Sequence, residues 1–260
     1  MMTRLCLVVA LCLLYLQSFA ASPKSGSMGP DSIEGSVGQS SFRSQTGIWW
    51  PSAAKNATSK AKKSQKPRSV KRMDAPVVVW FHGGMSGSNC AKGLVAGADF
   101  AELNPGKIVV SVSACRENHW VTKTMMDVVD AALDSVANRR QAPVERVSLV
   151  GVSDGALGVI VYSLEGRRTV EDRLLMSSFG GFLGEPAQIA SQKKMQLGRY
   201  RFLQGGKDRL YPSEKTVPWI TDFCKAVQVD CELRFDPEGE HDWSYWKDKH
   251  MDWIRDAIHP

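Results

Sequence analysis

The sequence predicts one α/β domain with a mostly parallel central sheet and helices on both faces. Short runs of β-branched and aromatic residues recur along the chain, and segments with apolar residues at helical spacing lie between them. Strands that alternate with helices in this way form a parallel sheet covered on both faces. The length of 260 residues and the hydrophobic content of 43% fit one globular domain and exclude a collagen-like or wholly disordered chain.

The predicted elements begin after a region without an apolar period. Residues 21–44 are rich in Ser, Gly and Gln, so we expect a disordered lead-in there. The continuous apolar runs at 77–81 and 108–112 are typical of strands that are buried on both faces. The other predicted strands are 46–50, 147–150, 174–176, 200–204 and 231–235. The predicted helices are 121–138, 156–164, 217–227 and 243–258.

The first twenty residues have the pattern of a secretory signal peptide. Arg4 precedes an apolar run over 5–16, and Ser18 and Ala20 supply the small residues that a signal peptidase reads. The run is too short to span a bilayer comfortably, which takes about 20 residues. We therefore predict that residues 1–20 are removed and that the protein is secreted or periplasmic. The alternative is an uncleaved signal anchor.

Positive charge is concentrated in residues 53–73. This segment contains eight basic residues and no acidic one, and it accounts for the formal net charge of +6. We expect a flexible, solvated insertion in a domain that covers 45–260. The cations of residues 55–72 can hold the protein weakly against anionic surfaces, the alternative being a loop that only keeps it soluble. Because they do not line a folded face, they do not indicate binding to nucleic acid.

Four cysteines follow the signal peptide, and an even number in an oxidising compartment favours disulfides. Cys90 and Cys115 each follow a predicted strand at the same end of the sheet, whereas Cys224 and Cys231 bracket a helix-to-strand connection. We therefore predict the pairs Cys90–Cys115 and Cys224–Cys231, the alternative being four free buried thiols. No C-x-x-C pair occurs, and we predict neither a metal site nor a cofactor.

A G-x-S-x-G pattern follows the predicted strand 147–150. Its serine, Ser153, lies between Gly151 and Gly155, and a predicted helix comes next. A sharp turn from strand to helix holds such a serine in a strained backbone geometry and presents its hydroxyl above the sheet. Ser153 is therefore the candidate nucleophile, the alternative being a glycine-rich turn with an incidental serine.

A serine nucleophile needs a base, and the base needs an acid that orients it. Asp208 follows the predicted strand 200–204, and His241 follows the predicted strand 231–235. The chain order serine, acid, histidine is the one that a strand–turn–helix site of this kind requires. We predict His241 as the base and Asp208 as the acid, with Asp236 as the alternative acid.

The negative charge of a tetrahedral intermediate needs backbone N–H donors. The His-Gly-Gly-Met turn at 82–85 directly follows the predicted strand 77–81. Its candidate donors are Gly84 and Met85. A second donor is Asp154, at the start of the helix after the nucleophile, where the helix dipole favours an anion. The alternative is a tight turn whose histidine only packs on neighbouring loops.

These motifs resemble the α/β-hydrolase superfamily, and within it the secreted polyhydroxybutyrate depolymerase and feruloyl esterase group. The resemblance covers roughly residues 45–258 and rests on the turn at 82–84, the pattern at 151–156, the loop from Gly205 to Pro212 and the His-Asp-Trp at 241–243. It implies an α/β-hydrolase fold and a serine esterase. The implied roles are nucleophile for Ser153, acid for Asp208, base for His241 and oxyanion donors for Gly84 and Asp154.

We expect this protein to cleave short-chain or aryl carboxylic esters, small or attached to a polymer or glycan, through an acyl-enzyme. Residues 178–199 are too few to form a large cap domain between two strands. We therefore expect an open cleft walled by Trp120 and Trp243, which buries too little apolar surface to hold a long acyl chain. The alternatives are a serine peptidase of the same fold, an inactive binding protein that retains the fold, and a cleft covered by the basic segment.

Overall fold

A computed structural model describes residues 31–37, 40–51, 74–84, 87–116 and 118–258. The strands in these ranges are β1 (Asp31–Val37), β2 (Ser40–Trp49), β3 (Val77–Phe81), β4 (Ile108–Val112), β5 (Arg146–Val152), β6 (Thr169–Met176), β7 (Arg199–Gly205) and β8 (Cys231–Asp236). The α-helices are α1 (Lys92–Leu103), α2 (Lys123–Arg140), α3 (Asp154–Glu165), α4 (Pro186–Ala190), α5 (Ser213–Ala226) and α6 (Trp243–Ala257). Two 3-10 helices are Gly180–Phe182 and Lys193–Gln196.

The strands form one sheet with the order β1-β2-β4-β3-β5-β6-β7-β8. β1 pairs with β2, and β2 with β4, in antiparallel register. All the other pairs, from β4 through to β8, are parallel. The carboxyl ends of β3, β5, β7 and β8 therefore lie at one edge of the sheet, where the loops that follow them can converge.

The central strand β3 shows why this sheet is covered on both faces. Val79 and Phe81 lie in a buried apolar cluster shared with α2, α3 and α5. Val78 and Trp80, which point the other way, lie in a second cluster shared with α1 and α6. Both clusters exclude water, so every side chain of β3 is apolar. The predicted architecture, a mostly parallel sheet between two layers of helices, is confirmed.

The predicted disordered lead-in over 21–44 is wrong where the structure describes it. β1 and β2 pair in antiparallel register in this region, and Thr46 to Trp49 of β2 pair with Val112 to Val109 of β4. Backbone pairing with an otherwise open edge of the sheet does not depend on apolar side chains, so the polar composition did not reveal it. The predicted signal peptide over 1–20 and the basic segment over 53–73 lie outside the described residues.

α1 was not predicted, because its glycines weaken the helical pattern. They are required by packing, since a β-carbon on Gly93 would lie only 2.7 Å from the carbonyl oxygen of Val112. Ser111 Oγ also donates a hydrogen bond to the Gly93 carbonyl oxygen at 2.8 Å. The backbone of the helix is therefore in direct contact with β4 at Gly93.

The connection between β6 and β7 contains only short helices: Gly180–Phe182, α4 and Lys193–Gln196. This confirms the predicted absence of a large cap domain at that position. Among the residues that the structure describes, no helix is both long and apolar enough to cross a membrane.

Both predicted disulfides are formed. Cys90–Cys115 joins the segment after β3 to the segment after β4, with Cα atoms 5.0 Å apart. Cys224–Cys231 joins the end of α5 to the start of β8, with Cα atoms 5.3 Å apart. The first bond therefore lies at the carboxyl edge of the sheet and the second at the amino end of β8.

Candidate active site

Ser153 occupies the predicted sharp turn between β5 and α3. Its φ angle is +56°, in the left-handed region that non-glycine residues rarely adopt. Its N–H donates to the carbonyl oxygen of Met176 at 2.9 Å, which fixes the turn against β6. A β-carbon on Gly155 would collide with the carbonyl oxygen of Phe81, so glycine is needed there for α3 to approach β3. The strained turn is thus held from two neighbouring strands.

The start of α3 provides N–H groups beside Ser153. Asp154 is the first residue of this helix, and the first N–H groups of an α-helix have no partner within the helix. They also lie at the positive end of the helix dipole. The backbone around Asp154 can therefore bind negative charge next to the Ser153 hydroxyl.

Gly84, a predicted donor besides Asp154, lies on the loop after β3, which packs against the serine. A β-carbon on the preceding Gly83 would lie 3.1 Å from the carbonyl oxygen of Val152 and 3.2 Å from Cβ of Ser153. Gly84 itself has a φ angle of +84°. Met85, the other predicted donor of this loop, lies outside the described residues.

His82 fixes the root of this loop. Its Nε2 accepts a hydrogen bond from the Ala114 N–H at 2.9 Å, so its Nδ1 carries the proton and donates to the Gly83 carbonyl oxygen at 2.9 Å. Burial lowers the pKa of His82 to about 4, with a further contribution from the nearby charge of Lys92. His82 is therefore a neutral residue that joins the loops after β3 and β4.

Asp208 and His241 are brought together by the loops after β7 and β8. Nδ1 of His241 lies 2.9 Å from both carboxylate oxygens of Asp208. Since a carboxylate only accepts, Nδ1 donates and leaves Nε2 as an acceptor. Oδ1 of Asp208 also accepts from the N–H groups of Leu210 at 3.0 Å and Tyr211 at 2.8 Å. Burial acts to raise the pKa of Asp208, but these hydrogen bonds outweigh it and hold the pKa below its ordinary value.

The alternative acid, Asp236, has a different partner. Its Oδ2 accepts from Nε2 of His250 at 2.8 Å and from the hydroxyl of Tyr245 at 2.8 Å. Asp236 therefore joins the end of β8 to α6, and Asp208 is the carboxylate that orients His241.

Tyr211 was missed by the sequence reasoning, although it contacts both halves of this site. Its ring packs edge-on against His241 with centroids 5.2 Å apart, and its hydroxyl donates to Oδ1 of Asp154 at 3.2 Å. Burial and the Asp154 charge raise the pKa of Tyr211 to about 12, whereas a hydrogen bond with Ser153 acts in the opposite direction. The hydroxyl group therefore lies beside Ser153. The only feature of the sequence that could have indicated this residue is its position, three residues after Asp208.

Of the two predicted substrate-wall tryptophans, the structure contradicts Trp120, and the wall role of Trp243 stays a prediction. Trp120 is 1% exposed and donates from its indole N–H to the carbonyl oxygen of His82 at 2.9 Å. The prediction that Trp120 walls an open cleft is wrong, because the ring is enclosed beneath the loop. Trp243 is half-buried and donates to Oδ2 of Asp99 at 2.7 Å, which joins α6 to α1.

Comparisons with known proteins support the fold. No family model matches the sequence. No curated protein matches it either. Among solved structures, the chain is similar to an S-formylglutathione hydrolase from Agrobacterium tumefaciens, with a TM-score of 0.60 at 11% identity over 90% of this chain and 98% of that one.

Two further structures agree. One is the fluorophosphonate-binding serine hydrolase F of Staphylococcus aureus, with a TM-score of 0.58 at 14% identity, covering 90% of this chain and all of that one. The other is a cold-adapted esterase from an Arctic intertidal metagenomic library, with a TM-score of 0.56 at 16% identity over 88% of this chain and 93% of that one. The chain therefore has the α/β-hydrolase fold.

Proposed function

We propose that this protein is a secreted serine hydrolase that cleaves carboxylic esters through Ser153, His241 and Asp208. The observation that supports it most is the hydrogen bond between Asp208 and His241, at the same edge of the sheet as the strained Ser153 turn. A strained serine turn, at the sheet edge that also carries an oriented imidazole, is typical of a nucleophile in this fold.

The proposed catalytic steps follow from the free ring nitrogen of His241 and the ionised carboxylate of Asp208. Nε2 of His241 takes the proton of the Ser153 hydroxyl as Oγ attacks the ester carbonyl carbon. Asp208 stays ionised, because its pKa is lowered, and stabilises the imidazolium that forms. His241 then gives its proton to the departing alcohol oxygen, and an acyl-enzyme remains on Oγ. Water, activated in turn by Nε2, releases the acid and restores Ser153.

The negative oxygen of each tetrahedral intermediate needs fixed donors. The N–H of Asp154, at the start of α3, and the N–H of Gly84 are the candidates, as the loop carrying Gly84 packs against Ser153. Removing one such donor typically lowers kcat by about 100- to 1,000-fold.

The substrate class rests on the absence of a cap between β6 and β7. We propose short-chain or aryl esters, small or attached to a polymer or glycan, as in the depolymerase and feruloyl esterase group that the motifs resemble. The neighbouring structures described as esterases and as an S-formylglutathione hydrolase support ester hydrolysis. The two disulfides and the apolar segment near the first residue support secretion.

A fluorophosphonate probe tests this proposal, because an ordinary serine hydroxyl does not react with it and an activated one does. We expect labelling of the wild-type protein, none of Ser153→Ala, and unchanged labelling of Ser191→Ala, which alters an exposed serine. Asp208→Asn should lower kcat/KM for a simple ester by roughly 1,000-fold or more.

Asp236→Asn is the matched control, since it alters the second carboxylate that pairs with a histidine. It should leave most of the activity in place. A folded wild-type protein that neither reacts with the probe nor hydrolyses an ester would overturn the proposal and favour a binding protein that only retains the fold.

A further inference from the structure

An exposed aromatic side chain continues the site on the side of His241. Phe182, in the 3-10 helix before α4, is 64% exposed. Its ring lies 5.3 Å from that of Phe179 and 5.8 Å from that of Tyr211, and Tyr211 in turn packs on His241. The rings therefore form a continuous row, the aromatic platform (Phe179, Phe182 and Tyr211), that ends at the base.

Two hydrogen bonds fix the middle of this platform. The N–H of Tyr211 donates to Asp208 at 2.8 Å, and its hydroxyl donates to Asp154 at 3.2 Å. Tyr211 is thus fixed at both ends. A rigid ring binds a flat partner without losing rotamer freedom, and aromatic rings stack favourably on one another.

The position of the platform tells which part of an ester it faces. His241 gives its proton to the departing alcohol oxygen, so the alcohol lies on the His241 side of the reacting carbon. We infer that Phe182 and Tyr211 form a subsite for the alcohol half of the ester, selecting an aryl or similarly flat apolar alcohol. This inference rests on the proposed function and adds which half of the substrate carries the aromatic group.

The experiment compares four esters: phenyl acetate and ethyl acetate, which differ in the alcohol, and methyl benzoate and methyl acetate, which differ in the acid. For each ester, the experiment measures kcat/KM of a variant relative to that of wild type. This ratio is chosen because kcat/KM reports on the steps from substrate binding to release of the alcohol. Phe182→Ala should lower it about tenfold for phenyl acetate, the loss expected for one aromatic stacking partner. It should change the other three values by less than about twofold.

Two further variants make the result specific. Phe182→Trp retains a flat ring and should keep wild-type preference for phenyl acetate. Leu197→Ala removes an exposed apolar side chain, 50% exposed, before the amino end of β7, and should change nothing. A loss confined to methyl benzoate, an equal loss on all four esters, or no loss would each overturn the subsite. A wild-type protein that cleaves none of the four esters and does not react with the fluorophosphonate probe would instead overturn the proposed function itself.

Discussion

The hydroxyl of Tyr211 donates a hydrogen bond to Oδ1 of Asp154, over 3.2 Å. Asp154 is only 4% exposed, and among the residues that the structure describes this is the one hydrogen bond that its carboxylate accepts. Because the pKa of Tyr211 is raised to about 12, the donor keeps its proton at any working pH. The pair joins the loop that carries Asp208 to the helix that follows Ser153.

Tyr211→Phe leaves the Asp154 carboxylate buried without this donor. We expect the free energy of unfolding to fall by about 1–3 kcal/mol, the cost of an unsatisfied buried polar group. Asp154→Asn removes the charge, so the double variant should be less destabilised than the sum of the two single variants, by about 1 kcal/mol. Urea unfolding of the four proteins measures this coupling. Strictly additive losses would show that the two side chains do not interact.

His82 predicts how stability depends on pH. Its pKa in the folded protein is about 4, lowered by burial from an ordinary value of 6.5. Between these two values the unfolded chain binds a proton that the folded protein does not, so stability falls as pH decreases through this window. The contribution amounts to about 2 kcal/mol between pH 7 and pH 4.5.

His82→Gln retains an acceptor for the Ala114 N–H but does not titrate. Its stability loss between pH 7 and pH 4.5 should therefore be smaller than that of wild type by about 2 kcal/mol. Urea unfolding at the two pH values measures the difference. Carboxylates with lowered pKa, such as Asp208, act below this window, so they contribute little to it. If the free energy of unfolding fell equally in the two proteins between pH 7 and pH 4.5, His82 would not be the source of this pH dependence.

The elements that were predicted best from the sequence are those in which every side chain is buried. The bounds of β3 and β4 were predicted as observed, because strands buried on both faces show continuous apolar runs. β6 was predicted only for its last three residues. Its earlier part carries Asp172 and Arg173, which are buried and paired: Asp172 with Ser148 and Arg199, and Arg173 with Ser163. In the sequence alone, charged residues that are paired in the folded protein show the same polar pattern as a solvent-exposed loop.

The same distinction applies to the site. Asp208 and His241 were predicted to pair because strand ends and chain order restrict where they can meet. Tyr211 was missed because its role comes from contacts with residues distant in the chain. Trp120 was misjudged because composition does not tell an enclosed ring from an exposed one.

The two disulfides should have different effects on activity. Replacing Cys90 and Cys115 by alanine opens a loop of 25 residues, and replacing Cys224 and Cys231 opens one of 7. The chain-entropy relation gives losses of about 3.5 and about 2.3 kcal/mol in the free energy of unfolding. Only the first bond lies near the loop of Gly84, so only its removal should also lower kcat/KM.

Urea unfolding and ester hydrolysis of the two double variants, below their unfolding transitions, measure both effects. Each variant serves as the control for the other. Equal effects on kcat/KM would mean that the Cys90–Cys115 bond has no particular influence on the site.

The connection between β6 and β7 predicts how the protein responds to lipid. It packs against α5 rather than forming a separate cap: a β-carbon on Gly180 would collide with the Trp219 ring, and the Trp219 indole N–H donates to the carbonyl oxygen of Gly184 at 3.1 Å. Ile189 is buried in the core cluster shared with α5. Because these contacts fix the segment in place, it does not form a lid that could open at a lipid surface.

We therefore expect the rate of hydrolysis of a short-chain triglyceride to rise along an ordinary saturation curve as its concentration increases. The rate should not jump when the concentration passes the solubility limit and droplets form. Long-chain triglycerides should be poor substrates, because a site without a cap between β6 and β7 is expected to bury too little apolar surface, at about 25 cal/mol per Å², to hold the chain. Titrating the ester across its solubility limit measures the response. A variant that lacks residues 56–72 is the control, since the basic segment is the other candidate cover. A sharp rise in wild type that disappears in this variant would show that the segment acts as a lid, and a rise in both would contradict the fixed β6–β7 connection.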